Sequence, residues 1–523
     1  MHVLLTGLSG SGKSSVAARV GEILARPVVD LDARIEAEEG QTIAAIFQER
    51  GEAAFRALEL AALGDLVTEP DSVVALGGGA ICNEEGYAAA QRLGTLVWLS
   101  VPASVAADRL AKDSARPLLA DAAGRRRTLE TMLRLRVEHY ARAEIVVDAT
   151  ATVDVVAREI AAAVSAPVFV HVVRSHTNSY PVRIHAGRPQ ALAREIAAVA
   201  GASRVVLVCD RHVLPRVEDV CAALTKASVI AVDAGEPLKQ LSGVEALALA
   251  LEAKGCDRDT VLVAIGGGSL GDAVGFVASV YRRGVRWVSV PTTLLSMVDS
   301  SLGGKTGVNL GHAKNLLGAF YPPIAVLTQT SWLGTLDARE VRSGLAEMLK
   351  VAATHDANYF ERLTKLDTQR FDAAAPVVIE AIARAVGIKA KVVSEDEFER
   401  GERKVLNFGH TFGHAFESAA ELRDLRHGEA VALGMVAETE YAASLGRADS
   451  EVLAALTFAM QTLGFSQNWR PLAMRAKQYV ASDKKRHENQ VRMPVVPRLG
   501  RFEWLDADVR ELEAFLDVEG ARV

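Results

Sequence analysis

Three histidines pose the first chemical question. Within residues 406–429, LNFGHTFGHAFESAAELRDLRHGE, His410 and His414 stand four apart on one helical face, and His427 follows His410 by 17 residues. Imidazoles gathered in one neighbourhood, beside glycines that let backbones approach closely, suit a divalent metal such as zinc. An amphipathic helix with two polar positions has the same spacing, and zinc needs a further ligand from elsewhere. A second signature opens the chain: residues 7–14, GLSGSGKS, fit the phosphate-binding pattern G-x-x-x-x-G-K-[ST]. Gly10, Ser11 and Gly12 can turn backbone N–H groups toward phosphate oxygens, and Lys13 can reach the terminal phosphates. Ser14 can hold Mg²⁺, and Ser15 continues into a helix whose positive end faces the anion.

A phosphate loop specifies a nucleotide; the acceptor must be read from the elements around it. An apolar strand over 3–6 feeds the loop, and a helix follows through Val16, Val20, Ile23 and Leu24. Residues 28–32, VVDLD, read as a second strand ending in Asp30 and Asp32, at the carboxyl edge where open α/β sheets bind ligands. A helix over 52–66 carries Phe55, Arg56 and Glu59, and a strand over 72–76 runs into Gly77, Gly78 and Gly79. Arg116 lies in the polar segment RPLL, and Arg136 precedes Tyr140 by one helical turn. With these pieces in this order and spacing, residues 1–165 resemble a shikimate kinase. The resemblance implies that Asp32, Arg56, Gly78, Gly79 and Arg136 hold the cyclic triol carboxylate, that Arg116 is a lid arginine over ATP, and that Asp30 holds a Mg²⁺ water. The chemistry is apt: guanidinium groups pair bidentately with a carboxylate, and an aspartate can orient an attacking ring hydroxyl. Val137, Glu138 and His139 replace the N-P-L type stretch that the family often carries before the tyrosine.

At 523 residues the chain exceeds one ordinary core, so two or three domains are expected. A net charge of −6 argues against non-specific binding to nucleic acid or anionic membrane and leaves room for a local basic cleft. Cys82, Cys209, Cys221 and Cys256 form no C-x-x-C pair and read as buried thiols in a reducing compartment. No segment reaches the roughly 18 uninterrupted apolar residues of a membrane span. The expectation is a cytoplasmic protein acting on small-molecule substrates, with no nucleic-acid or membrane partner.

After an alanine-rich helix over 149–164, Ser165, Ala166 and Pro167 mark a boundary. A strand over 205–209 ends in Asp210, and one over 229–232 leads to Gly235, Glu236 and Lys239. A third, over 261–265, delivers GGGSLGD, Gly266 to Asp272, into a helix, a seat for the pyrophosphate of a dinucleotide. Residues 291–309, PTTLLSMVDSSLGGKTGVN, read as a loop with hydroxyls, Asp299 and Lys305; Lys314 lies nine residues beyond Lys305 and Asn315 follows it, a cast suited to an anion. From 328 the periodicity turns helical. RSGLAEMLK places Glu347 and Lys350 on one face, Lys389 follows, and Arg403 and Asn407 lead into the histidines.

The stretches PTTLLSMVDSSLGGKTGVN, SGLAEMLK, LNFGHTFGHAFE and HGEAVALGM resemble the 3-dehydroquinate synthases, over about 167–500. Glu347 then becomes the further ligand, completing a Glu-His-His site with His410 and His427. The resemblance implies NAD contacts at Asp210, Glu236, Lys239, Gly267, Gly268, Ser269, Gly271, Asp272, Thr292, Thr293, Lys305, Lys314 and Thr330. It implies substrate contacts at Asp299, Lys305, Asn315, Lys350, Lys389, Arg403, Asn407, His414 and Lys485. Here Ala234 replaces the usual acid before Gly-Glu, and the hairpin that the resemblance implies after Lys485 lacks its usual glycine. The implied reaction oxidises a secondary alcohol of a phosphorylated seven-carbon sugar acid by NAD with a metal as Lewis acid, eliminates phosphate, reduces the ketone again and closes the carbocycle. His414 is expected to relay a proton rather than bind the metal, where it would compete with His427.

The expected architecture is α/β: a P-loop nucleoside-monophosphate-kinase-like parallel sheet domain over 1–165, a Rossmann-like α/β domain over 167–327, and a mainly α-helical metal-binding domain over 328–523. The expected activity is bifunctional, a shikimate kinase using ATP with Mg²⁺ and a 3-dehydroquinate synthase using NAD and Zn²⁺ or Co²⁺, in a homodimer formed through the C-terminal half. The alternatives for that half are another sugar-phosphate cyclase or a metal-dependent polyol dehydrogenase, and for either half a degenerate binding or regulatory module. Lys305, Lys350, Lys389 and Arg403 favour a doubly anionic substrate over a neutral polyol.

Overall fold

A computed structural model describes residues 2–111, 122–164, 168–185, 189–224, 227–311, 313–368, 371–420, 425–466, 468–480, 486–487 and 490–520. Arg116 and Lys485 lie outside the described residues. The sequence suggested three segments; by packing, the chain forms two compact units. The first is Met1–Val170 with Arg188–Val205 and Glu218–Ala227, and the second is His171–Gly187, Val206–Val217 and Ser228–Val523.

The first unit is built on five short strands, β1 (His2–Thr6), β2 (Val28–Asp30), β3 (Val73–Ala75), β4 (Gly94–Ser100) and β5 (Ile145–Asp148), in the order β2-β3-β1-β4-β5. All neighbours are parallel. Strands of such a sheet are covered on both faces and so read as continuous apolar runs; Val3, Leu4 and Leu5 are fully buried. The β2 strand ends earlier than expected, because its pairing with β3 stops at Asp30 opposite Ala75. The Asp30 carboxylate accepts from Ala33 N at 3.2 Å and caps the helix Leu31–Glu39. Asp32 therefore stands in the first turn of a helix, not on a strand. The helix expected over 52–66 extends to Ile43–Asp65, broken at Gly51, and Arg56 and Glu59 follow the break.

The strands that follow in the chain are β6 (Val168–Val173), β7 (Tyr180–His185), β8 (Val205–Asp210), β9 (Ser228–Val232), β10 (Val261–Gly266), β11 (Arg286–Pro291), β12 (Lys305–Leu310), β13 (Ala313–Phe320) and β14 (Ala325–Gln329). Seven of them form one sheet in the order β6-β7-β14-β11-β10-β8-β9. The segment expected as a loop over 291–309 is more ordered than that: a turn of π-helix, Ser296–Ser300, is followed by β12, which pairs antiparallel with β13. The helices Ala338–His355, Pro376–Glu395, His410–Ala419 and His427–Ser444 then build the part that carries Glu347 and the three histidines. Strands return after them, since β15 (Arg486–His487), β16 (Gln490–Arg498) and β17 (Arg501–Asp508) make an antiparallel sheet. The hairpin expected after Lys485 thus forms without its usual glycine, and β16 buries Val491, Met493 and Val495 while Arg492 is exposed. Among the described residues no helix is long and apolar enough to cross a membrane. Of the four cysteines, Cys209 and Cys256 are buried as expected, and Cys82 and Cys221 are only partly so.

Candidate active sites

In the first unit β1 feeds the phosphate loop and the helix Lys13–Leu24 carries it away. A cleft of about 600 Å³ opens there, lined by Ser9 to Val16 together with Asp30, Asp32, Gly78 and Arg109. Lys13 Nζ donates to Gly7 O at 2.9 Å and Leu8 O at 3.2 Å, which curls the side chain over the loop. Ser14 Oγ donates to Asp30 Oδ2 at 2.6 Å, so the two residues expected at Mg²⁺ are already adjacent and supply hard oxygen donors. The acceptor side is a floor of glycine. A Cβ on Gly79 would come within 2.4 Å of Arg56 Nη2, and one on Gly77 within 2.8 Å of Asp32 Oδ1. Arg136 Nη1 and Tyr140 Oη both donate to Gly78 O, at 3.1 and 2.5 Å. Asp32, Arg56, Gly78, Gly79 and Arg136 thus meet at one place. Arg56 also pairs with Glu59, whose burial raises its pKa against the pull of the guanidinium. Arg109, which the sequence reading missed, donates to Ser11 O at 3.3 Å and Ala149 O at 2.7 Å on the nucleotide side.

In the second unit three helices bring one ligand each. Glu347, His410 and His427 place donor atoms within 4.8 Å of one another. Glu347 Oε1 is 3.8 Å from His410 Nε2 and 3.5 Å from His427 Nε2, close to the ~3.4 Å between ligands held tetrahedrally at ~2.1 Å from an ion. Both Glu347 oxygens are buried without a hydrogen bond of good geometry, so the carboxylate has capacity for a cation. Burial alone would raise its pKa, but the Lys350 ammonium beside it holds it below the ordinary range. The outer nitrogens are also held: His410 Nδ1 donates to Phe408 O at 3.2 Å, and His427 Nδ1 lies 3.4 Å from Glu417 Oε2. His414 is not among the three residues whose donor atoms converge, although its ring is centred 5.2 Å from that of His410 and 5.9 Å from that of His427.

Charges line up beside this centre. Lys350 lies 3.9 Å from Asp299 Oδ1, and Lys389 pairs with the same carboxylate while donating to Asp299 O at 2.8 Å. Burial would raise Asp299, yet Lys389 and Lys350 drive its pKa down; burial and Lys350 in turn lower Lys389 to about 8. Lys305 pairs with Glu399, which also accepts from Asn407 Nδ2 at 3.0 Å, and Arg403 Nη2 donates to Gly303 O at 3.1 Å. The two carboxylates at Glu399 and Glu417 were missed. Glu417 had a signal, seven residues after His410 and so on the same helical face.

On the nucleotide side, Gly267 caps the helix Gly268–Val280, and a small cavity there is lined by Gly267, Gly268, Gly271, Asp272, Ser300 and Lys305. The expected cofactor and substrate residues therefore share a wall. Lys239 Nζ donates to Asp272 Oδ2 at 2.7 Å and Asn315 Oδ1 at 2.5 Å, joining two expected cofactor residues to an expected substrate residue. Glu236 accepts from Asn309, Asp210 from His212 N, and Thr330 Oγ1 donates to His185 O. Thr292 is buried, Thr293 Oγ1 bonds Ser296 Oγ at 2.8 Å, and Ser269 is half-buried on the same helix as Gly271. Lys314 instead reaches Glu417 Oε1 at 3.0 Å.

A phosphate loop with an acid- and arginine-lined acceptor floor, and a glycine turn beside a Glu-His-His centre and buried lysines, define a two-site enzyme class: a P-loop kinase and a nucleotide- and metal-using enzyme of anionic small molecules. Comparison with known proteins agrees. Residues 9–165 match the family model for shikimate kinase, 229–343 that for 3-dehydroquinate synthase N-terminal, and 344–486 that for 3-dehydroquinate synthase C-terminal. The chain is 38% identical over 358 residues to a 3-dehydroquinate synthase of Rhodopseudomonas palustris, covering 64% of this chain and 92% of that one. It is 50% identical over 217 residues to one of Koribacter versatilis, where the match covers 41% of this chain and 59% of the relative. A solved 2-epi-5-epi-valiolone synthase from Streptomyces hygroscopicus, with NAD⁺ and Zn²⁺ bound, superposes at a TM-score of 0.59 with 31% identity, over 66% of this chain and 97% of that one. The chain belongs to the 3-dehydroquinate synthase family, with a shikimate kinase region preceding it.

Proposed function

We propose a division of labour among named residues for the two reactions. The chain is a bifunctional enzyme of aromatic amino acid biosynthesis: an ATP-dependent 3-phosphorylation of shikimate, and an NAD- and metal-dependent conversion of 3-deoxy-D-arabino-heptulosonate 7-phosphate to 3-dehydroquinate plus phosphate. In the first unit Lys13 and the loop amides bind phosphate, Ser14 and Asp30 hold Mg²⁺, and Arg56 and Arg136 clamp the carboxylate above Gly78 and Gly79. Asp32 orients the attacking hydroxyl.

In the second unit Glu347, His410 and His427 hold the metal, and the Gly267–Asp272 turn with Lys239, Thr292, Thr293 and Thr330 seats NAD. When bound, these groups supply a hydride acceptor and a Lewis acid. Lys305, Lys350, Lys389 and Arg403 neutralise the substrate's phosphate and carboxylate, and Asp299 fixes two of those lysines in register. His414 moves a proton at the rim of the ligand group. We place the protein in the cytoplasm as a homodimer formed through the C-terminal half. The convergence of Glu347, His410 and His427 carries this reading. The test is to supply the heptulosonate phosphate with trace NAD and metal. Phosphate release far in excess of the NAD supplied, without NADH accumulation, is expected; reduction of the added NAD to NADH without phosphate release would mark a polyol dehydrogenase instead. Adding shikimate and ATP should then yield ADP.

A further inference from the structure

His427 presents Nε2 toward Glu347, 3.5 Å from Oε1, and Nδ1 toward Glu417, 3.4 Å from Oε2. The other oxygen of Glu417 accepts from Lys314 Nζ at 3.0 Å across 103 residues of sequence. Glu417 rides on the helix that His410 begins, and Lys314 belongs to β13, whose partner strand β12 starts with Lys305. We propose that Glu417 is a positioning residue for the metal centre, holding His427 with the proton on Nδ1 and the Nε2 lone pair toward the ion, and that Lys314 couples this hold to the β12–β13 hairpin. A ligating imidazole whose outer N–H is bound by a carboxylate is fixed in tautomer and ring orientation and becomes more basic. Lys314 steadies that carboxylate from the hairpin that also carries Lys305 and Asn315, so the anion-binding wall and the metal centre share one linkage. The inference rests on the reading of Glu347, His410 and His427 as ligands.

Zinc affinity of the full-length chain, measured by chelator competition, tests it. Glu417→Ala should weaken zinc binding about 10–100-fold and shift the visible absorption of the cobalt-loaded protein, and Glu417→Gln, which can still accept from Nδ1–H, should recover part of the loss. Lys314→Met should weaken zinc by a smaller factor in the wild-type background and by none in the Glu417→Ala background. A cooperative urea-unfolding transition followed by the fluorescence of Trp469, in the same unit as Glu417 and Lys314, reports that each variant is folded there. Glu417→Ala with a wild-type affinity and cobalt spectrum would overturn the inference, as would a Lys314→Met effect undiminished without Glu417. If the wild-type chain binds no zinc, the ligand reading itself falls; if it binds zinc and Glu417→Ala binds equally, only the inference does.

Discussion

Lys389 is the residue whose setting most directly becomes a pH dependence. Burial of its ammonium, with Lys350 facing it, lowers its pKa to about 8, and Asp299 opposes only part of that fall. Above that value it loses the charge that attracts the substrate's anions. Substrate KM should therefore rise as pH passes about 8, and Lys389→Arg, which stays charged, should flatten the rise at some cost in fit. Folding responds in the opposite sense. Between about 8 and the ordinary lysine value of 10.5 the unfolded chain holds the extra proton, so this group's contribution to stability improves as pH climbs. Lys305 stood out in the sequence on a loop poor in acids, and Lys350, Lys389 and Arg403 were reached through the resemblance. Their pairings were not legible, because Asp299 and Lys389 lie 90 residues apart and Lys305 and Glu399 lie 94 apart. Asp32 was recognised by its motif but placed wrongly, since strand length was decided by the register of β2 on β3.

Helix ends position the centre. His410 and His427 each open a helix, and the helix His427–Ser444 is pinned to both other ligand helices. Toward the Glu347 helix, Gly428 N donates to Ser343 Oγ at 3.0 Å, and Arg339 grips Glu429 through Nε and Nη2 at 2.9 and 2.6 Å. Toward the His410 helix, the fully buried Glu438 accepts from Gly409 N at 2.7 Å, Thr411 N at 2.8 Å and Phe412 N at 3.3 Å. A Cβ on Gly428 would sit 2.3 Å from Ser343 O, which is backbone and cannot swing aside. Gly428→Ala should thus destabilise the chain by about 1–3 kcal/mol in urea unfolding and weaken metal binding together. Glu438→Ala leaves buried amides without their acceptor and should cost about 1–3 kcal/mol by the same assay. The HGE motif was legible as chemistry, but its role as a close-packed joint was not, because Ser343 lies 85 residues away.

For the molecule as a whole, two sites in two compact units predict separable losses. Lys13→Ala should reduce ADP formation at least about 100-fold while leaving phosphate release from the heptulosonate phosphate intact, and His410→Ala should do the reverse. Sequence motifs made both sites legible, since each pairs a glycine turn with charges at fixed spacing; the hairpin after residue 485 was expected from the resemblance alone, and the third strand that joins it was not foreseen. The central claim is that one carboxylate and two imidazoles hold a single ion and His414 does not. Metal content of purified variants tests this most directly. Wild type and His414→Ala should each retain about one equivalent per chain, and Glu347→Ala, His410→Ala and His427→Ala should each lose most of it. A His414→Ala chain without metal, or a Glu347→Ala chain that keeps its full equivalent, would contradict the assignment.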